Sequence, residues 1–200
     1  MEEYALTNIY FIRHAEPNYD DHDDLTRELS PKGLRDRALV TAYLADKAID
    51  AVLSSPYKRA VDTVKDFADA HGFDVVTVED FRERRIADTW VEDFRGFTRR
   101  QWEDFDFKLN DGESLREVQN RNIAALEEVL RRYDGKNVVI GSHGTALSTV
   151  IHHYHPSYGY ADFDHIRGKM PFAAHFTFEG ERCVEIEAYD LLEKTTMLYQ

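Results

Sequence analysis

Over most of the chain, short apolar runs alternate with stretches whose apolar residues recur every three or four positions. Residues 7–13, TNIYFIR, are β-branched and aromatic without Gly or Pro, the pattern of a buried strand. Ser30-Pro31 then supply an N-cap and a first-turn proline, and Leu34, Ala38, Ala42 and Ala45 give the helix they open its inner face. AIDAVLSS (48–55) reads as a second short strand. Ser55-Pro56 repeat the entry device ahead of a helix whose buried face is Val61, Val64 and Ala68. Gly72 stands where a helix C-terminus favours glycine, and FDVVTV (73–78) is a third strand.

Between 81 and 112 the periodicity fails, and arginines alternate with Trp90, Phe94, Phe97, Trp102, Phe105 and Phe107, as in an insertion rather than a framework element. Ser114-Leu115-Arg116-Glu117 is a capping box that starts a long helix with Leu115, Val118, Ala125, Leu126, Val129 and Tyr133 inside. KNVVIGS (136–142) is another buried strand, and HGTALSTVIHH begins a further helix. FAAHFTF and CVEIEAYD, joined across Glu179-Gly180-Glu181, read as a hairpin. Strands alternating with helices predict an α/β fold: a three-layer α/β/α sandwich with a mostly parallel central sheet, a lid-like insertion at about 81–112 and a C-terminal β-hairpin, all within one domain spanning 1–200.

Composition narrows the partners. The chain is 42% hydrophobic, enough for a sizeable core, and its net charge of −13 makes nucleic acid and anionic lipid poor partners. No apolar run is long enough to span a membrane, MEEYALTN lacks the features of a secretion signal, and the lone Cys183 has no partner for an internal disulfide. A cytoplasmic location is the expectation. The acidity also means that arginines must be concentrated locally if the ligand is an anion.

Ligands of such sheets bind outside the carboxyl ends of the parallel strands. Arg13 and His14 end the first strand, Ser54 and Ser55 the second with Arg59 one helical turn on, Glu83 follows the third, and Ser142-His143-Gly144 end the late one. Two histidines, two arginines and a carboxylate on one rim, with helix N-termini beside them, describe a phosphate site.

R13-H14-A15-E16, S54-S55-P56-Y57-K58-R59-A60, D111-G112-E113-S114 and G141-S142-H143-G144 resemble the ordered motifs of the histidine phosphatase superfamily, the phosphoglycerate-mutase-like proteins, over nearly the whole chain. The resemblance implies that His14 attacks phosphorus through Nε2 to form a phosphohistidine and that Arg13 and Arg59 clamp the phosphoryl oxygens. It implies that His143, protonated, stabilises developing charge, with Gly144 beside it. Glu83, as a carboxyl of raised pKa, would protonate the leaving oxygen and then deprotonate the attacking water. No metal or other cofactor is called for, because cationic side chains supply the charge. Relatives often carry Gly, Ser or Thr, and Asn where this chain has Ala15, Pro17 and Asp20. Asp20 would repel a phosphate, so Asn18 is the substitute expected to bind it, unless the loop points away.

Each residue also has a plainer reading. Arg13-His14 alone would be a sheet-edge cap, His143 a helix-terminal residue bonded to backbone, and Arg59 an ion pair with Asp62. His152, His153 and His155 are read as a solvated helix end or pocket wall, since no carboxylate accompanies them at ligand spacing. Glu79, Glu92 and Glu103 compete with Glu83 for the acid's place. The insertion, with Arg84, Arg85 and Trp90, is read as a lid over the pocket. The reaction expected is metal-independent hydrolysis of a small-molecule phosphate ester. Phosphoglycerate mutase is the first alternative, a non-catalytic phosphate-binding or scaffold protein the second, and a metallophosphatase the third.

Overall fold

The computed structural model describes residues 5–87 and 91–199. Among them one mixed sheet of seven strands runs in the order β3-β2-β4-β1-β5-β6-β7. The parallel half comprises β1 (Leu6–Arg13), β2 (Ala51–Ser54), the short edge strand β3 (Val75–Thr77) and β4 (Asn137–Ser142). The antiparallel half, β5 (Phe172–Glu179), β6 (Arg182–Asp190) and β7 (Thr195–Tyr199), joins it through β1. The hairpin turn at Gly180 has φ +58°, so glycine relieves strain there. β7 is an addition to the expected elements: it is short and largely exposed, and TTMLY does not alternate, so it carries little period-2 signal.

Side-chain alternation along each strand feeds two cores. Tyr10, Ile12, Val52, Val139 and Ala173 face α1 (Pro31–Leu44) and α2 (Lys58–His71). Ile9, Phe11, Leu53, Val138, Ile140, Ala174 and Phe176 face α4 (Leu115–Arg132), α5 (Gly144–Tyr154) and α6 (Tyr160–Ile166). This is the expected three-layer arrangement. α3 (Phe94–Glu103) lies in the segment where periodicity failed, and its N-cap is Asp93, whose side chain accepts from Gly96 N. No helix among the described residues is long and apolar enough to cross a membrane.

Several local expectations need correction. Ser30 caps α1 as read, its side chain accepting from Gly33 N, but the buried positions are Gly33, Val40 and Leu44 while Leu34 is 47% exposed. Ala38, Ala42 and Ala45, all exposed, are too small to fix the phase; the larger Val40 and Leu44 set it. Ser55 does not cap α2. Tyr57 takes that position without a side-chain bond, and Ser55 Oγ accepts from Tyr57 N at 3.2 Å. Gly72 does close α2, with φ +74°, and Ser114 and Glu117 form both bonds of the capping box on α4.

Candidate active site

Adjacent parallel strands, β1 and β4, end side by side, with Arg13 opposite Ser142 in the register. The next residues, His14 and His143, are therefore neighbours, their rings 5.3 Å apart and edge to face. Both are buried, at 6% and 0% exposure, and burial together with Arg59 pushes both pKa values well below 6.5. His143, expected to be protonated, is thus held neutral, because a second charge beside the arginines in a dry site is costly.

The ring nitrogens are differentiated. His14 Nδ1 lies 2.8 Å from Ala15 O; only an N–H satisfies a carbonyl, so Nε2 keeps a free lone pair. His143 Nε2 lies 2.7 Å from Ser55 Oγ. That oxygen also accepts from Tyr57 N, and its own hydrogen is available to Nε2; in that tautomer the His143 proton lies on Nδ1. Nδ1 is buried without a partner. In that tautomer a neutral His143 still presents a donor.

Arg13 and Arg59 are almost fully buried, and desolvation lowers both pKa values. Arg13 Nη1 donates to Ile166 O (2.6 Å) and Lys169 O (3.3 Å), and Nη2 to Arg167 O (2.8 Å). Of five N–H donors these use three, and Nε is left buried and unpartnered. A Cβ on Gly144 would sit 3.0 Å from Arg13 Nη2 and 3.1 Å from Cζ and Nε, so glycine there lets the guanidinium lie flat against the helix start. Arg59 Nη1 donates to Asp24 O (2.7 Å), and its Nη2 lies 3.4 Å from Asp24 Oδ1. The plainer reading of an Arg59–Asp62 pair fails, because Asp62 binds Lys58 instead, at 2.8 Å.

Glu83 does come to this rim. Its Oε1 accepts from Arg84 N (2.7 Å) and Ala146 N (3.1 Å), and Oε2 from Thr145 N (2.9 Å). It thereby occupies the N-terminal donors of α5, whose N-cap residue His143 offers no side-chain bond. Of the four carboxylates considered for this role, only Glu83 lines the pocket. The segment carrying it is pinned by Arg121 on α4, which donates to Asp80 O, Arg82 O and Glu83 O and binds both oxygens of Glu113 at 2.8 and 3.0 Å. Glu113 also accepts from Arg85 N (3.0 Å) and Arg82 Nη2 (3.0 Å), so it does more than open α4.

A pocket of about 300 Å³ opens above, lined by Arg13, Tyr19, Glu83, Phe94, Gly144, Thr145, Phe163 and Arg167. Asn18, the expected phosphate ligand, is not there. Its Oδ1 accepts from Asp20 N (3.1 Å) in a local turn that leaves both residues exposed, and Tyr19 forms the wall instead. The lid arginines also differ from expectation. Arg84 is buried against the rings of Phe94 and Phe97 and bonds Gln101 Oε1, its pKa pushed down to about 10 by desolvation. Arg85 is exposed at the surface. Trp90 lies outside the described residues. Besides Glu83, the insertion contributes Phe94, at the start of α3, to the pocket wall.

Sequence reasoning missed Thr63, which accepts from Ala15 N (3.0 Å) and donates to Arg59 O (2.7 Å), tying the residue after His14 to α2. It also missed Arg121 and Arg167; neither carries a local sequence signature, since only tertiary packing brings them to the rim. His152 Nδ1 bonds Tyr158 O (2.7 Å) and its ring packs on Phe105, and it is not among the residues that line this pocket. Among the described residues no group of three or more His, Cys, Asp or Glu is placed to hold a metal ion.

Two histidines, two buried guanidinium groups and a carboxylate thus come together at the parallel strand ends. The profile of the histidine phosphatase superfamily (branch 1) matches residues 9–188, and the chain belongs to this family. Phosphoserine phosphatase 1 of Hydrogenobacter thermophilus is 28% identical over 153 residues, 69% of this chain and 71% of that protein. A probable phosphoglycerate mutase of Enterobacter sp. is 25% identical over 158 residues, 73% of this chain and 74% of its own length. Among solved structures, a mycobacterial glucosyl-3-phosphoglycerate phosphatase superposes with a TM-score of 0.74 at 19% identity, covering 96% of this chain and 97% of its own. By family, the chain is a phosphoric monoester hydrolase.

Proposed function

We propose that the protein hydrolyses a small organic phosphate ester through a phosphohistidine on His14, without a metal. The observation that carries this reading is the bond from His14 Nδ1 to Ala15 O, which leaves Nε2 as a bare nucleophile beside Arg13 and His143. In the first step Nε2 attacks phosphorus and the P–O ester bond breaks. The leaving oxygen takes a proton from Glu83. Three of the four lone-pair positions of that carboxyl accept amide N–H groups, so the remaining one on Oε2 is the position open to exchange a proton with the leaving oxygen. In the second step water gives a proton back to Glu83 and attacks phosphorus, the P–N bond breaks, and inorganic phosphate leaves with His14 restored.

The donors for the phosphoryl oxygens are Arg13 through Nε and its remaining Nη2 hydrogen, His143 through Nδ1, and Arg59. An unpartnered buried donor costs about 1–3 kcal/mol, so an anion that satisfies these groups is favoured over none. The insertion acts as a lid through Phe94. A small phosphate fits a 300 Å³ pocket and agrees with relatives named for phosphoserine and glucosyl-3-phosphoglycerate. A cytoplasmic location belongs to the same reading.

The test is phosphate release from p-nitrophenyl phosphate in EDTA by wild type and His14→Ala. Wild-type activity that vanishes in the variant supports the mechanism, whereas dependence on added metal or survival of activity in His14→Ala overturns it. Conversion of 3-phosphoglycerate to 2-phosphoglycerate, with little free phosphate, would assign the mutase reaction instead.

A further inference from the structure

Arg167 lines the same pocket as Arg13 and Glu83, and no step of the hydrolysis uses it. It is the C-cap residue of α6, and its own carbonyl is held by Arg13 at 2.8 Å. The loop it stands on is braced a second time by Lys169, whose Nζ lies 2.5 Å from the buried Asp190 carboxylate. Backbone position is therefore fixed, while the side chain remains 30% exposed.

The guanidinium is poorly satisfied. Nε lies 3.0 Å from Asp164 Oδ1, but the contact falls short of hydrogen-bond geometry, and Nε and that oxygen are both buried without a hydrogen-bond partner. Around it the pocket is aromatic, with Phe163, Phe94 and Tyr19. Tyr19 OH reaches Met170 Sδ at 3.7 Å, which closes that side of the pocket over the Arg167 loop. Arg167 also lowers the pKa of Arg13, so the two cations feel each other across the pocket. A ligand with anionic groups at both ends would relieve this repulsion.

We propose that Arg167 is a specificity residue that binds the carboxylate of a phosphorylated short-chain hydroxy acid while its phosphate occupies the His14 site. A planar guanidinium with free donors matches a carboxylate in a bidentate fork. The apolar wall of Phe94 and Phe163 suits the short carbon chain between the two anions. The inference rests on the phosphatase reading for its catalytic form, but its binding form does not depend on turnover.

The experiment compares wild type, Arg167→Gln and Arg167→Lys on 3-phosphoglycerate, phosphoserine, glycerol 3-phosphate and p-nitrophenyl phosphate. The first two carry a carboxylate and the last two do not. A charge-assisted contact of this kind is worth about 10–100-fold. Arg167→Gln should lose about that much kcat/KM on the carboxylated substrates, mostly through KM, and less than about threefold on the others. Arg167→Lys should recover part of the loss. Equal effects on both pairs, or no effect on either, overturn the assignment. Calorimetric binding of 3-phosphoglycerate and glycerol 3-phosphate to wild type and Arg167→Gln keeps the two ideas apart. Selective weakening of 3-phosphoglycerate in a protein that hydrolyses nothing would sustain the carboxylate site and sink the phosphatase.

Discussion

The two halves of the sheet each border a cavity, and the larger one is not where the chemistry lies. On the antiparallel half, about 480 Å³ is enclosed by α1 and by Tyr10, His175, Glu187 and Tyr189. Its aromatic groups satisfy one another: Tyr10 stacks on His175 at 4.4 Å and Tyr43 on Tyr189 at 5.5 Å. His175 has its partner in Asn8, at 2.8 Å. On the parallel half the pocket is smaller, yet Arg13 Nε in its wall and Ser142 Oγ and His143 Nδ1 at the neighbouring strand end are buried without partners. Unmet polar valence, not volume, marks the half that awaits a ligand. The cause is topological. Parallel strands bring β1 and β4 to a common end where chain and side chains turn together, whereas antiparallel strands divide their ends between both edges of the sheet.

The sharpest way to break this contrast is to alter one polar ring in each half. His14→Ala should lower kcat by about 10⁴-fold or more, while Tyr43→Phe in the larger cavity should leave kcat/KM within about twofold, both read by phosphate release. Comparable losses from the two would erase the distinction. Glu83→Gln should cost about 10²–10⁴-fold in kcat on an alkyl phosphate. The cost should be smaller on p-nitrophenyl phosphate, whose leaving group needs no proton. Arg121→Gln should act on the same step at a distance. A kcat drop of about tenfold with little change in KM, larger on an alkyl phosphate than on p-nitrophenyl phosphate, would mark it as positioning Glu83; a fall in thermal stability alone would make it merely structural.

Acid pH gives a fourth comparison. His14 and His143 are buried with lowered pKa values, and His175 on the other half is lowered by burial but partly compensated by Glu187. Below about pH 6.5 the unfolded chain binds protons that the folded one refuses, so stability falls with acidification until the folded values are reached. Each histidine contributes at most about 1.4 kcal/mol per pH unit over that window. Urea unfolding at pH 7.5 and 5.5 should show a smaller loss in His14→Gln than in wild type, and a lesser difference for His175→Gln. The smallest effect expected is at Asp24. Because its carboxylate lies 3.4 Å from Arg59, Asp24→Asn should free that guanidinium and lower KM a few-fold. A raised KM would mean that Asp24 orients Arg59 rather than competing for it.

The order of strands and helices is legible because each is announced by its own residues: TNIYFIR, the capping box at Ser114, and Gly72. The site residues that end strands are legible for the same reason, since packing alone gives an apolar run little cause to end on a polar pair. What escapes is whatever depends on phase or on distant partners. The inner face of α1 is misplaced by the sequence pattern because alanines carry too little hydrophobic contrast to set an angle. Asn18 stands at a plausible distance along the chain from His14, but a side-chain bond to Asp20 N turns the loop outward. Arg84 reads as facing substrate, yet a cation between Phe94 and Phe97 with Gln101 as acceptor is more stable buried within the insertion.

The bonds from Arg13 to the carbonyls of Ile166, Arg167 and Lys169 close a loop of 153 residues or more. Closing so long a loop is entropically costly, so these contacts form late in folding and the native chain has high contact order at its centre of reactivity. During synthesis β1 leaves the ribosome well before the segment around residue 166. Until then Arg13 has no acceptors and the pocket lacks a wall. The pocket is therefore complete only once the chain has been made past residue 169.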